Sequence, residues 1–146
     1  MAKYRHILLA VDFTPEVGII TSKGRELAER SGSKISLIHV LEFSSSNYPR
    51  DLPISSIHDL DDRLKKHAKV ELRELAITHG FQNSRQYVEF GVPKQEIVRV
   101  AEEAAVDLIV LGSHGRHGIQ RLLGSTANGV LHLAKCDVLA VRISHD

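Results

Sequence analysis

A chain of 146 residues is about one domain's worth and can bury a core without disulfide or metal staples. The 19 Lys plus Arg nearly cancel the 18 Asp plus Glu, and 42% of residues are hydrophobic. That balance excludes a disordered tail and argues against a surface built to grip nucleic acid through counterion release. A lone Cys136 forms no internal disulfide, and the opening Met-Ala-Lys-Tyr-Arg-His lacks an apolar signal core, so a reducing, cytoplasmic setting is expected. Apolar runs such as Ile7 to Val11 fall far below the roughly 20 residues that span a bilayer, so no membrane role is expected.

Strand-length apolar runs alternate with stretches of helical period, which predicts an α/β fold with a parallel sheet covered on both faces. Five strands are predicted: His6 to Val11, Lys34 to Leu41, Arg85 to Phe90, Asp107 to Leu111 and Asp137 to Ile143. The first and fourth are apolar on successive residues, as the central strands of such a sheet should be.

After strand one, Thr14-Pro15-Glu16 reads as an N-cap hydroxyl, a first-turn proline and a first-turn acid. The helix it opens places Ile20, Gly24, Leu27 and Ala28 on one face and stops at Gly32. The second helix carries Ile57, Leu60, Leu64, Ala68, Leu72 and Leu75 at helical spacing, turns a charged face to solvent and ends at Gly80. A third runs from Pro93 to about Ala105 with Ile97, Ala101 and Ala104 inward. A fourth, about Ser125 to Ala134, carries Val130, Leu131 and Ala134 inward. The Ser-rich stretch 42–55 is long for a βα connection, as lids and binding loops are.

Right-handed crossovers then give one domain over 1–146, doubly wound, with strand order 3-2-1-4-5. Its topological switch point lies between strands one and four, and ligands of open α/β sheets bind outside the carboxyl ends there. Strand one ends in Ala10-Val11-Asp12. The Asp12 carboxylate suits a ribose hydroxyl or a cation, or else forms an Asx-turn that introduces Thr14. Strand four ends in Leu111-Gly112-Ser113-His114-Gly115-Arg116-His117-Gly118, and Gly124-Ser125-Thr126 opens the fourth helix. Closely spaced glycines let backbone N–H groups approach phosphate oxygens, and a helix start adds free N–H groups and a positive dipole end. The bland alternative is a turn followed by an ordinary Ser N-cap.

The glycine spacing is not the dinucleotide fingerprint, and no P-loop motif occurs. A phosphoacceptor receiver domain is poorly supported as well, since strand one supplies only Asp12 and strand three ends in Phe90-Gly91. His114, His117 and His39 lack acidic or Cys partners at ligand spacing, so no metal site is expected of them. Cys136 reads as a small buried residue and not as a nucleophile.

The opening Tyr4-Arg5-His6-Ile7-Leu8-Leu9-Ala10-Val11-Asp12, then Leu37-Ile38-His39-Val40, then Gly91-Val92-Pro93 form a recognisable series. With Asp107-Leu108-Ile109-Val110-Leu111-Gly112-Ser113-His114-Gly115-Arg116 and Cys136-Asp137-Val138-Leu139-Ala140-Val141, they make the chain resemble the universal stress proteins over nearly all its length. The resemblance implies an adenine nucleotide alpha-hydrolase-like, Rossmann-like three-layer sandwich. It also implies ATP at the switch point, with Mg²⁺ or Mn²⁺ bridging phosphates. By that resemblance Asp12 lies near ribose and phosphates, and the Val40 main chain meets the adenine. Gly112, Gly115 and Gly124-Ser125, with Thr126 adjoining, match the nucleotide-binding motif G-x2-G-x9-G-[ST]. One departure is plain: eight residues, Arg116 to Leu123, separate Gly115 from Gly124 where the motif has nine.

The function expected is thus a stress-response regulator that binds ATP, with at most slow hydrolysis or self-phosphorylation because no catalytic base is evident. The alternative is a protein-interaction module of the same family with an empty crevice. A flavin carrier is disfavoured by four Phe, three Tyr and no Trp. The apolar last strand, 137–143, is expected at a sheet edge and suits a homodimer, a pairing that the resemblance also implies.

Overall fold

The structure is a computed structural model that describes residues 4–42, 54–113 and 124–143. Nine elements follow in the order β1 (His6–Ala10), α1 (Val17–Ser31), β2 (Lys34–Leu41), α2 (Ile54–Thr78), β3 (Arg85–Phe90), α3 (Pro93–Glu103), β4 (Leu108–Gly112), α4 (Ser125–Leu133) and β5 (Asp137–Val141). The five strands form one all-parallel sheet of order β3-β2-β1-β4-β5, as the crossover rule predicts.

Successive residues of a strand face opposite sides, so each central strand feeds two cores. Ile7 and Leu9 of β1, Leu37 of β2 and Val110 of β4 join Ile20 of α1 and Leu72 of α2 on one face. Leu8, Ile38 and Ile109 join Ile97 and Val100 of α3 and Val130 of α4 on the other. Ile7, Leu8 and Leu9 are all fully buried, which is why ILLAV shows no alternation.

Several boundaries differ from those predicted. β1 ends at Ala10, one residue before Val11, β4 covers Leu108–Gly112, and β5 ends at Val141 although Ile143 remains buried. α1 begins at Val17 with Glu16 as its N-cap and no side-chain cap, not at Thr14. The reason is local: the Thr14 hydroxyl, the expected cap, donates backward to Asp12 Oδ1 at 2.6 Å, and Thr14 to Val17 form a separate turn. Leu131, predicted to point inward, is exposed; Ala127 takes its place in the core. α3 stops at Glu103 because Ala105 turns left-handed at φ 55°.

Candidate crevice at the strand carboxyl ends

The two central strands pair through Leu9↔Val110 and then part. β1 stays with β2 through Ala10↔Ile38, and the Val11 N–H still donates to the Ile38 carbonyl at 2.9 Å. β4 stays with β5 through Gly112↔Val141, and the Ser113 N–H donates to the Val141 carbonyl at 2.8 Å. Each central strand thus follows its outer neighbour, and a crevice opens between Val11 and Gly112, at the predicted switch point.

Of the predicted site residues, Ala10, Val11, Asp12, Val40, Leu111, Gly112, Gly124, Ser125 and Thr126 are grouped around this opening by the strand ends and the start of α4. Val11 and Leu111 bury their side chains in opposite cores, so only their main chains face the opening. His114, Gly115 and Arg116 lie outside the described residues, as do His117 and most of the 42–55 stretch.

Asp12 is half-buried. Its Oδ1 accepts from both the Thr14 N–H (3.2 Å) and the Thr14 hydroxyl (2.6 Å), so the Asx-turn exists. Both bonds go to one oxygen, and the second carboxylate oxygen has no protein partner among the described residues. Across the opening, Gly124 is the N-cap of α4, with extended backbone and no side-chain cap bond. Ser125 is therefore the first helical residue and not an ordinary Ser N-cap, and the first-turn N–H groups carry no side-chain cap. Gly124 donates its own N–H to the Ser113 carbonyl at 2.6 Å, which joins the start of α4 to the end of β4.

Two contributors escaped the sequence reading. Ser113 is only 7% exposed, and its hydroxyl has no hydrogen-bond partner among the described residues. An orphaned buried hydroxyl costs about 1–3 kcal/mol. At a crevice it is the kind of group a ligand satisfies. His39 points its Nδ1–H at the Val11 carbonyl (2.9 Å) and stacks on Phe13, with ring centroids 4.2 Å apart. Each was visible as a polar residue in or just after an apolar strand.

No group of three or more His, Cys, Asp or Glu suited to a metal occurs among the described residues. Cys136 lies at the other end of the sheet, in a groove of about 370 Å³ between the last turns of α3 and α4. Burial, with Asp137 and Asp107 nearby, pushes its thiol pKa up, which makes it a poor nucleophile.

A sequence model described as the universal stress protein family matches residues 3–142. The chain belongs to the universal stress protein family. Universal stress protein A homolog 2 of Coxiella burnetii is 42% identical over 144 residues, 98% of each chain. The solved UspA of Lactobacillus plantarum superposes with a TM-score of 0.79 at 26% identity, covering 99% of this chain and 100% of that one. A universal stress protein solved in complex with cAMP superposes at 0.62 with 23% identity, covering 96% of this chain and 98% of that one. As a member of this family the chain is a stress-response protein. Among its described residues no helix is long and apolar enough to cross a membrane.

Proposed function

We propose that this universal stress protein is a cytoplasmic regulator that binds an adenine nucleotide, ATP, in the crevice between β1 and β4. The observation that carries the reading is the buried Ser113 hydroxyl, without a hydrogen-bond partner among the described residues, beside a crevice whose far wall is a helix start with no side-chain cap bond. Both supply donors without an acceptor among the described residues, and a polyphosphate supplies acceptors without donors. A family relative bound to cAMP is in keeping with this.

In this reading Gly112, Gly115, Gly124, Ser125 and Thr126 offer N–H and hydroxyl donors to the phosphates, with His114 and Arg116 beside them. Asp12, through its unengaged carboxylate oxygen, faces the ribose or a phosphate-bound Mg²⁺ or Mn²⁺. The main chains of Ala10, Val11, Val40 and Leu111 border the base. Attraction comes from local dipoles on a nearly neutral chain, so affinity depends weakly on salt, unlike nucleic-acid binding. β5, which among the described residues pairs only with β4, offers its outer edge to the same strand of a second subunit in a homodimer over 137–143.

Isothermal titration calorimetry with ATP and Mg²⁺ tests the reading. It should return one saturable site, and protein purified without added ligand should release adenine nucleotide on denaturation. No heat at high protein concentration, with no released nucleotide, refutes it in favour of an interaction module. Sedimentation as a monomer at micromolar concentration refutes the dimer.

A further inference from the structure

The ladder between β1 and β2 is cut short by a side chain. In a parallel pair with this register, the Val11 N–H goes to the Ile38 carbonyl, as it does at 2.9 Å, and the Val11 carbonyl would next go to the Val40 N–H. Instead the register stops at Ala10↔Ile38, and the Val11 carbonyl accepts from His39 Nδ1 at 2.9 Å. The carbonyl fixes the tautomer: Nδ1 carries the proton. The Phe13 ring, inclined at 33° to the imidazole, holds it in place. Main-chain groups of alternate strand residues point to opposite edges. Those of Leu41 face β3, where its carbonyl accepts from the Gly91 N–H at 2.9 Å, so those of Val40 face the edge that β1 has left.

We propose that His39 is a positioning residue: by capping the Val11 carbonyl it stops the ladder one step early and keeps the Val40 main-chain donor and acceptor open for a purine base. The inference rests on the nucleotide reading above and adds a specificity to it. An N–H beside a C=O on one residue, neither bonded to another described residue, matches a ring nitrogen next to an amino group, as in 6-aminopurine. It opposes hypoxanthine, which presents an N–H next to a carbonyl. The device acts on the base alone, since His39 lies on β2 and the phosphate donors lie on the β4 side.

Two measurements on the whole chain test it. In amide exchange by NMR without nucleotide, Val40 should exchange quickly in the wild type. His39→Leu releases the Val11 carbonyl, and the closed ladder should slow Val40 by about tenfold or more. His39→Asn, whose side-chain amide donates from the place of Nδ1, should leave Val40 open. A Val40 amide already as protected as that of Ile38 in the wild type, or unchanged by His39→Leu, overturns the proposal.

In calorimetry with ATP, inosine triphosphate and inorganic tripolyphosphate, His39→Leu should weaken ATP by about tenfold, erase its preference over inosine triphosphate and leave tripolyphosphate within about twofold. His39→Asn should return ATP to within about threefold of wild type. Equal loss of ATP and tripolyphosphate in His39→Leu marks a merely structural role and overturns the proposal. A wild type that takes up neither ATP nor tripolyphosphate refutes the nucleotide reading, and the Val40 amide then decides the ladder device alone.

Discussion

The Gly124 N–H donates to the carbonyl of Ser113 at 2.6 Å, so the first residue before α4 is tied to the residue that follows β4. This bond sets where the uncapped start of α4 stands relative to the strand ends. Gly124 has φ −60°, which proline adopts without strain, but proline has no N–H to donate. Gly124→Pro should change stability by no more than about 1 kcal/mol, because a lost hydrogen bond and a stiffer unfolded chain nearly offset. It should nevertheless weaken ATP by about tenfold, while Gly124→Ala, which keeps the N–H, should bind within about threefold of wild type. Calorimetry on the pair checks it, and equal affinities would show that the tie does not organise the site.

Gly24 packs α1 directly onto the sheet. A Cβ there would lie 2.5 Å from Leu9 Cδ2 and 2.8 Å from Cδ1, and Leu9 is fully buried with nowhere to go. Alanine gains about 1 kcal/mol of helix propensity, but so close a contact overpacks the core at about 2–3 kcal/mol, the upper part of the usual range, so Gly24→Ala should destabilise by about 1–2 kcal/mol. The melting temperature should fall by about 2–8 °C. Adding Leu9→Val should recover part of the loss, a non-additivity expected of residues in contact. Independent, additive losses would mean that the helix sits further from the sheet.

Ala105 occupies a place that glycine fills elsewhere in the chain. α2 ends in a Schellman motif with Gly80 at φ 79°, Phe81 N–H to the Ala76 carbonyl and Gly80 N–H to the Ile77 carbonyl. α3 ends with the same two bonds, Val106 N–H to Ala101 and Ala105 N–H to Glu102, but with alanine at φ 55°. A left-handed non-glycine residue costs about 1–2 kcal/mol, part of which glycine returns as unfolded-chain entropy. Ala105→Gly should therefore raise stability by about 0.5–1 kcal/mol in urea unfolding, and a loss would indicate that the turn is not left-handed.

The same comparison shows what the residue pattern carried and what it did not. Gly32 and Gly80 marked helix ends correctly because the left-handed cap asks for glycine; Ala105 hid its cap because only main-chain bonds reveal it. The strand order followed from handedness, and the placement of Asp12 just past a strand end and of Gly124 at a helix start followed because such positions are written in hydrophobic period. Thr14 was misread as a cap because its hydroxyl had two partners within reach, and Asp12 took it. Ser113 and His39 went unassigned because their roles depend on what is missing nearby: a partner for one hydroxyl, and a ladder bond for one carbonyl.

His6 should make folding sensitive to mild acid. It is 5% exposed, with Nδ1–H donating to the Ala104 carbonyl at 3.0 Å and Nε2 accepting from the Ser36 hydroxyl at 2.7 Å. Burial lowers its pKa below the ordinary 6.5 despite the Ala104 bond and the Asp107 carboxylate, which favour the charged ring; Lys34 adds to the lowering. Since the unfolded chain binds this proton first, stability is fully present above about pH 6.5 and is lost as pH falls from there toward the lower folded value. Asp107 acts in a separate, more acid window. Burial alone would raise its pKa, but the N–H groups of Arg5 and His6 outweigh that and lower it, so its contribution is lost only below about pH 4. Urea midpoints between pH 7.5 and 5 should fall in the wild type and flatten in His6→Gln. An equal slope in both would assign the loss to other groups.

Asp12 combines a turn and a charge, and the two can be separated. Its Oδ1 holds Thr14 through two hydrogen bonds, a role asparagine performs equally well through its amide oxygen. Asp12→Asn should thus keep the turn and change stability by less than about 0.5 kcal/mol. It removes the negative charge that in the proposed site faces ribose or a phosphate-bound cation. Affinity for ATP with Mg²⁺ should drop by about tenfold, whereas affinity for ATP in excess chelator should hold or rise, because a carboxylate repels an uncomplexed triphosphate. Asp12→Ala should lose the turn as well, costing about 1 kcal/mol in urea unfolding. If Asp12→Asn binds ATP with and without Mg²⁺ as the wild type does, the carboxylate serves only the turn, and the cation, where one is bound, is held by phosphates alone.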